Sequence, residues 1–283
     1  MTPTTVLTVA GSDSGAGAGI QADLKTFAAL GAYGTSVVTA VTAQNTREVT
    51  AVHAVPAGVV ADQLEAVLSD FRVRAVKTGM LGDEEIAEVL ATRARAGRLP
   101  NLVVDPVLVA TTGARLGAVE TVRRLLPYAF VVTPNRAEAE ALVGAPVRTP
   151  EQMLAAAREL AAGGPAAVVV TGGDPAGADP ASDRPAGGDR AGGGRAGGAE
   201  PAVDALWHAG RATLLRGPRV ATRNTHGTGC SFSAALATRL AAGDDVPAAV
   251  GFAKQYVARA IGGARSWELG GGHGPLDHFG WSR

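Results

Sequence analysis

The feature that most constrains this chain is an alternation of short, largely apolar runs with stretches of helical spacing. Residues 4–10 (TTVLTVA), 73–77, 102–105, 130–133 and 166–171 (AAVVVT) each run into Gly, Pro or Thr-Gly. Between them, residues 20–30, 59–71, 84–96, 119–126, 138–143 and 151–162 have apolar side chains three or four apart, as in Leu64, Val67, Leu68 and Phe71. Continuous apolar strands joined by amphipathic helices predict a mostly parallel sheet covered on both faces. Residues 34–43 and 49–55 read as further strands, and 202–208 with 211–216 read as a hairpin around Ala209-Gly210. Helices over 229–242 and 247–262 close the chain. The expectation is one α/β domain over residues 1–283. Residues 174–201, built from Gly, Ala, Asp, Arg and Pro, are expected to be a loop that divides the sequence but not the fold.

Ligands of such sheets bind at the carboxyl ends of the strands. That rule draws together the glycines at 11, 15, 17 and 19, Met80, the 105–107 segment, Asn135 and Gly172-Gly173. The chemistry is most concentrated in Asn224-Thr225-His226-Gly227-Thr228-Gly229-Cys230-Ser231, at the start of a long Ala- and Leu-rich helix. Unpaired N–H groups at a helix N-terminus make an anion site, and glycine lets a phosphate approach the backbone. A thiol held there is expected to have a lowered pKa. Together these features suggest phosphoryl transfer.

Two familiar glycine motifs are excluded. The run through Gly15, Gly17 and Gly19 lacks the last glycine of a dinucleotide fingerprint, which removes an NAD-dependent oxidoreductase, and no Gly-Lys pair exists for a P-loop. Equal numbers of basic and acidic residues, 26 each, give no global field for nucleic acid or an anionic membrane. The single Cys fits a reducing compartment, and residues 1–11 lack a secretion signal, so a cytoplasmic location is expected. Lysine occurs only at 25, 77 and 254, a scarcity read as compositional bias without functional weight.

Several residues have plain readings when taken singly. Asp105 before Pro106 fits a turn or cap, and Asn135 with Glu138 fits a capping box. Gln44-Asn45-Thr46 fits a turn, and His226 fits a packing or hydrogen-bonding residue. Asp23, one turn into the first helix, reads as a solvated or dipole-stabilised charge.

In order along the chain, these segments resemble the hydroxymethylpyrimidine/phosphomethylpyrimidine kinases of thiamine biosynthesis, which have the ribokinase-like fold. The resemblance is carried by residues 10–27 (AGSDSGAGAGIQADLKTF), 39–46 (TAVTAQNT), 77–81 (KTGML), 104–107 (VDPV), 133–142 (TPNRAEAEAL), 224–231 (NTHGTGCS) and 272–279. It implies a three-layer αβα sandwich with a central, mostly parallel sheet, and a small-molecule kinase whose relatives commonly pair as a homodimer. ATP is implied as co-substrate. Gln44 is implied to bind the aminopyrimidine edge, with Gly11, Met80 and Val107 lining the acceptor pocket. Asp105 and Glu138 are implied to hold Mg2+, and Asn135, Thr171, Gly173 and Thr228 to meet the nucleotide. Gly227, Gly229 and Cys230 are implied as the catalytic anion hole and base. The pyrimidine alcohol would be phosphorylated to its monophosphate and then to the pyrophosphate. Alternatives are a pyridoxal kinase of the same fold and a non-catalytic binder of a thiamine precursor. Relatives often carry Lys where this chain has Thr171 and Thr111, which predicts weaker charge stabilisation of the phosphates.

Overall fold

A computed structural model of the protein describes residues 2–109, 113, 116–173 and 201–282. Thr111, and the loop expected over 174–201 apart from Pro201, lie outside the described residues. The strands are β1 (Thr5–Asp13), β2 (Tyr33–Gln44), β3 (Val49–Ala54), β4 (Val73–Thr78), β5 (Val103–Val104), β6 (Val131–Val132), β7 (Ala167–Val170), β8 (Ala202–His208) and β9 (Arg211–Gly217). The helices are α1 (Gly19–Ala29), α2 (Ala57–Asp70), α3 (Glu84–Arg95), α4 (Val119–Leu125), α5 (Arg136–Val143), α6 (Pro150–Ala161), α7 (Thr228–Ala242) and α8 (Val246–Gly263).

All nine strands form one sheet in the order β3-β2-β1-β4-β5-β6-β7-β8-β9. From β2 to β7 every pairing is parallel, while β3 and the β8–β9 hairpin add antiparallel edges. The central strands are apolar at every step because neighbouring residues serve opposite faces. Leu7, Val76, Val104, Val132 and Val168 point into a core with Leu64, Leu90 and Met153 from the helices on one side. Val6, Ala75, Val103, Val131 and Val169 point into a second core with Phe27, Leu236 and Val250. Each such buried side chain contributes roughly 1.5–3 kcal/mol relative to exposure, so the sandwich holds without disulfide or metal.

One boundary differs from the sequence reading in a way that shapes the site. β1 does not stop at Gly11 but continues to Asp13, with its register against β2 shifting between Ala10 and Ser12. The shift is held by the Thr42 hydroxyl, which donates to the Ser12 carbonyl at 3.0 Å. It leaves Asp13 as the last paired residue of β1, opposite Thr42, with its carboxylate against the loop that follows.

The C-terminal segment packs back onto α7 and α8. His278 is buried, with Nε2 2.9 Å from Ser231 Oγ, and its carbonyl accepts from the Tyr256 hydroxyl at 3.0 Å. Burial, and secondarily the charge of Lys25, pushes the imidazole down to about 4 from 6.5. A folded-state pKa below the unfolded value means stability is complete above pH 6.5 and is lost as pH falls towards 4. The loss reaches about 3 kcal/mol at most. Denaturant unfolding at pH 7 and pH 4.5 should show this drop, and His278→Gln should lose a large part of the difference between the two pH values.

Candidate active site

The carboxyl ends of six adjacent parallel strands form one row. Gln44 ends β2, Gly11–Asp13 end β1, and Met80 follows β4; Asp105 and Val107 follow β5, Asn135 follows β6, and Thr171–Gly173 follow β7. The N-terminus of α7 contacts the middle of this row, packing against β1, β4 and β5.

Asp13, which the sequence reading passed over, ties the first loop to the α7 turn. Its carboxylate accepts the amides of Gly15 (2.8 Å), Gly17 (3.0 Å) and Ala18 (2.9 Å), and His226 Nε2 lies 2.9 Å away. Burial alone would raise this carboxyl. The hydrogen bonds from His226 and the Ala18 and Gly15 amides outweigh that and hold it below the ordinary carboxylate range. His226 thus has the hydrogen-bonding role expected of it. The two glycine segments also interlock sterically. A Cβ on Gly17 would stand 2.2 Å from the His226 ring, and one on Gly227 would stand 1.9 Å from the Gly17 carbonyl oxygen. Gly227 is in the left-handed conformation (φ 83°), as only glycine does cheaply.

Gly11, Gln44 and Met80 come together around the same loop. A Cβ on Gly11 would lie 3.3 Å from Met80 Sδ, and Ser14 Oγ bridges the Gln44 backbone, donating to its carbonyl and accepting its amide. The Gln44 amide nitrogen reaches within 3.4 Å of His226 Nε2. Val107 lies on the opposite wall, its carbonyl covered by Gly117.

At the α7 turn, Ser231 is the first amide to donate to the Gly227 carbonyl, so helix geometry leaves the Gly229 and Cys230 amides without an intrahelical acceptor. Thr228 donates both its hydroxyl (2.6 Å) and its amide (3.2 Å) to the Thr225 carbonyl, so its hydroxyl proton is committed inward. The expected lowering of the Cys230 pKa is not met. Cys230 keeps part of its surface open, but burial of the thiol pushes it up to about 12, against the attraction of Lys77 and with Asp105 and Asp23 adding to the rise. The helix end alone does not overcome that surrounding.

Beneath Cys230 lies a charge cluster. Lys77, fully buried, sits 3.0 Å from Asp23 and 3.4 Å from Asp105. Asp23 is therefore no surface charge: it is completely buried and also accepts from Thr8 Oγ1 at 2.6 Å. The scarce lysines carry more weight than composition suggested. Lys254 pairs with Asp204 at 2.7 Å, and Lys25 donates to the Ala16 carbonyl in the first loop.

Further along the row, after β6, Asn135 and Glu138 form the anticipated capping box, each side chain accepting from the other's amide at 2.9 Å. Thr171 bridges Asn135 in parallel. Two guanidinium groups stand here: Arg219 donates to the Gly173 carbonyl at 2.6 Å, and Arg136 Nη2 lies 3.1 Å from where a Cβ on Gly172 would be. Among the described residues, no three His, Cys, Asp or Glu side chains gather as a metal cage. Mg2+ needs less, since it binds through one or two carboxylates and completes its shell with water and phosphate oxygens. Asp105, just past β5, and Glu138, in the first turn of the helix after β6, suit that pattern as hard oxygen donors. Glu138 spends one oxygen on the Asn135 amide, leaving at most the other for a cation.

The profile of the phosphomethylpyrimidine kinase family matches residues 13–277, nearly the whole chain. The chain belongs to that family. It is 45% identical to the hydroxymethylpyrimidine/phosphomethylpyrimidine kinase of Streptomyces coelicolor, covering 100% of this chain and 96% of that one. It is 46% identical to the thiamine biosynthesis bifunctional protein ThiED of Geobacter sulfurreducens, of which it spans about half (52%). Among solved structures, the pyridoxal kinase from Staphylococcus aureus in complex with AMP-PCP and pyridoxal superposes with a TM-score of 0.83 at 35% identity, covering 100% of this chain and 96% of that one. The ribokinase-like family architecture expected from the sequence is present: a mostly parallel sheet between two helical layers. No helix of the described residues is long and apolar enough to cross a membrane.

The interlock of the two glycine segments gives a direct prediction. Gly227→Ala should cost at least about 2 kcal/mol, from left-handed backbone strain plus the clash with Gly17. Thermal unfolding is the measurement, and an unchanged Tm would show that the two segments are not in contact.

Proposed function

We propose that this protein transfers the γ-phosphoryl group of Mg-ATP to the hydroxymethyl oxygen of 4-amino-5-hydroxymethyl-2-methylpyrimidine, and then a second phosphoryl group to the monophosphate. The observation that supports it best is the placement of the α7 anion site between two differently furnished ends of one strand row. Gln44, Gly11, Met80 and Val107 furnish the acceptor end. Gln44 suits an aminopyrimidine because an amide offers a donor and an acceptor to the same edge. Asn135, Thr171, Gly173 and Thr228 lie on the nucleotide side, where Arg219 and Arg136 supply the positive charge that Thr171 lacks.

In this reading the amides of Gly229 and Cys230, with Gly227 permitting the turn, grip the migrating phosphoryl group. Catalysis then comes mainly from positioning and electrostatics. Mg2+, when bound through Asp105 and Glu138, neutralises charge on the phosphate oxygens. Cys230 accepts the acceptor's proton only if its thiol is brought down from about 12, so a positional role for it is the competing possibility within this scheme.

The pyridoxal kinase likeness supports a second acceptor, since vitamin B6 alcohols also present a hydroxymethyl group on a heteroaromatic ring. A steady-state comparison decides the order: kcat/KM for pyridoxal well above that for the pyrimidine would reverse the assignment.

Incubation with Mg-ATP and the pyrimidine alcohol, with products resolved by mass, should show one and then two added phosphoryl groups. Formation of no ADP despite calorimetric binding would mark a non-catalytic binder instead. Gln44→Leu should raise the acceptor KM about tenfold or more by leaving the pyrimidine edge unpaired, with ATP KM unchanged. Arg219→Ala should do the reverse, raising the KM for ATP and sparing that of the acceptor.

A further inference from the structure

The Asp23–Lys77 pair is costly to bury. Both side chains are fully excluded from solvent, and a buried ion pair is seldom retained for stability alone, because well-packed apolar groups do as well or better. Its position suggests what retains it. Lys77 is the last charged residue of β4 and lies beside Gly79, where a Cβ would stand 3.0 Å from Nζ. From there it reaches Asp105 Oδ2, the same oxygen that the Ser233 hydroxyl approaches at 3.0 Å from the second turn of α7. Thr8 fixes Asp23 from β1, and Asp23 sits on α1. The chain of contacts Thr8–Asp23–Lys77–Asp105–Ser233 therefore joins β1, α1, β4, the β5 end and α7 directly beneath the anion site.

We propose that Lys77, clamped by Asp23, is a positioning residue for phosphoryl transfer: its ammonium group, 3.0 Å from Asp23 and 3.4 Å from Asp105, fixes Asp105 and the first turns of α7 in register. The proposal rests on the phosphoryl-transfer reading above.

The test is the double variant Lys77→Met with Asp23→Asn, which keeps both volumes and removes both charges. Its Tm should fall only modestly, because Asp105, the one buried carboxylate left without its cation, keeps the Ser233 hydroxyl. Its kcat should fall about 100-fold, as for the loss of one preorganised electrostatic group, with the KM for ATP and for acceptor within about threefold. Alkylation of Cys230 by iodoacetamide at pH 9, a clean readout in a chain with one cysteine, should differ about tenfold from that of the wild type as the first turn of α7 loses its register. A stable double variant with wild-type kcat and wild-type alkylation would overturn the proposal and leave the pair a packing device. If the double variant fails to fold, Asp23→Asn alone decides: a kcat about tenfold lower at unchanged KM supports the clamp, and unchanged kcat refutes it. Wild-type ADP formation is measured first. Should the wild type form none, the functional reading falls separately, and the alkylation comparison alone settles whether Lys77 holds the first turn of α7 in place.

Discussion

The site depends on one carboxylate. Asp13 lies at the end of the central strand and gathers three loop amides and an imidazole from residue 226, which is 213 positions away in sequence. Charge-assisted hydrogen bonds of this kind are about twice as strong as neutral ones. Asp13 is therefore more than a loop cap: it sets the distance between the loop after β1 and the turn that opens α7. The glycines at 17, 19 and 227 follow from the same closeness, since a Cβ at any of them would run into backbone or ring atoms of the facing segment.

Beneath that junction the protein has placed a cation with two carboxylates rather than leaving the floor apolar. Lys77 supplies positive charge where solvent cannot screen it, and the two aspartates keep it there. Burial, helped by the two aspartates and opposed by Lys77, pushes the Cys230 thiol up. Two further cations, Arg219 and Arg136, stand by Gly172 and Gly173 at the end of β7.

Much of this was legible in the chain. The strand and helix order follows the apolar runs closely because both faces of the central strands are buried, which leaves an unbroken apolar signal at 166–170. The capping box at Asn135–Glu138 and the β8–β9 hairpin follow from local chemistry and were read directly. The charge pairings were not, because they are long-range. Asp23 looks like any carboxylate one turn into a helix until Lys77 arrives from a strand. A signal did exist: a lysine inside an otherwise apolar strand, covered on both faces, has nowhere to go and must find a partner. The Cys230 expectation failed for a related reason. A helix end is visible in sequence, but the desolvation around it depends on what packs there from elsewhere. Asp13 was hidden by a register shift in β1, which carried the strand two residues further than its apolar run indicated.

The wide separation of Asp13 from His226 bears on how the protein comes into being on the ribosome. One face of β1, β4, β5, β6 and β7 is covered by Leu236 of α7 and Val250 of α8, so the sheet has no second core until those helices are made, and a domain generally folds as a unit. The bond between Asp13 and His226 can therefore close only when nearly the whole polypeptide has been synthesised.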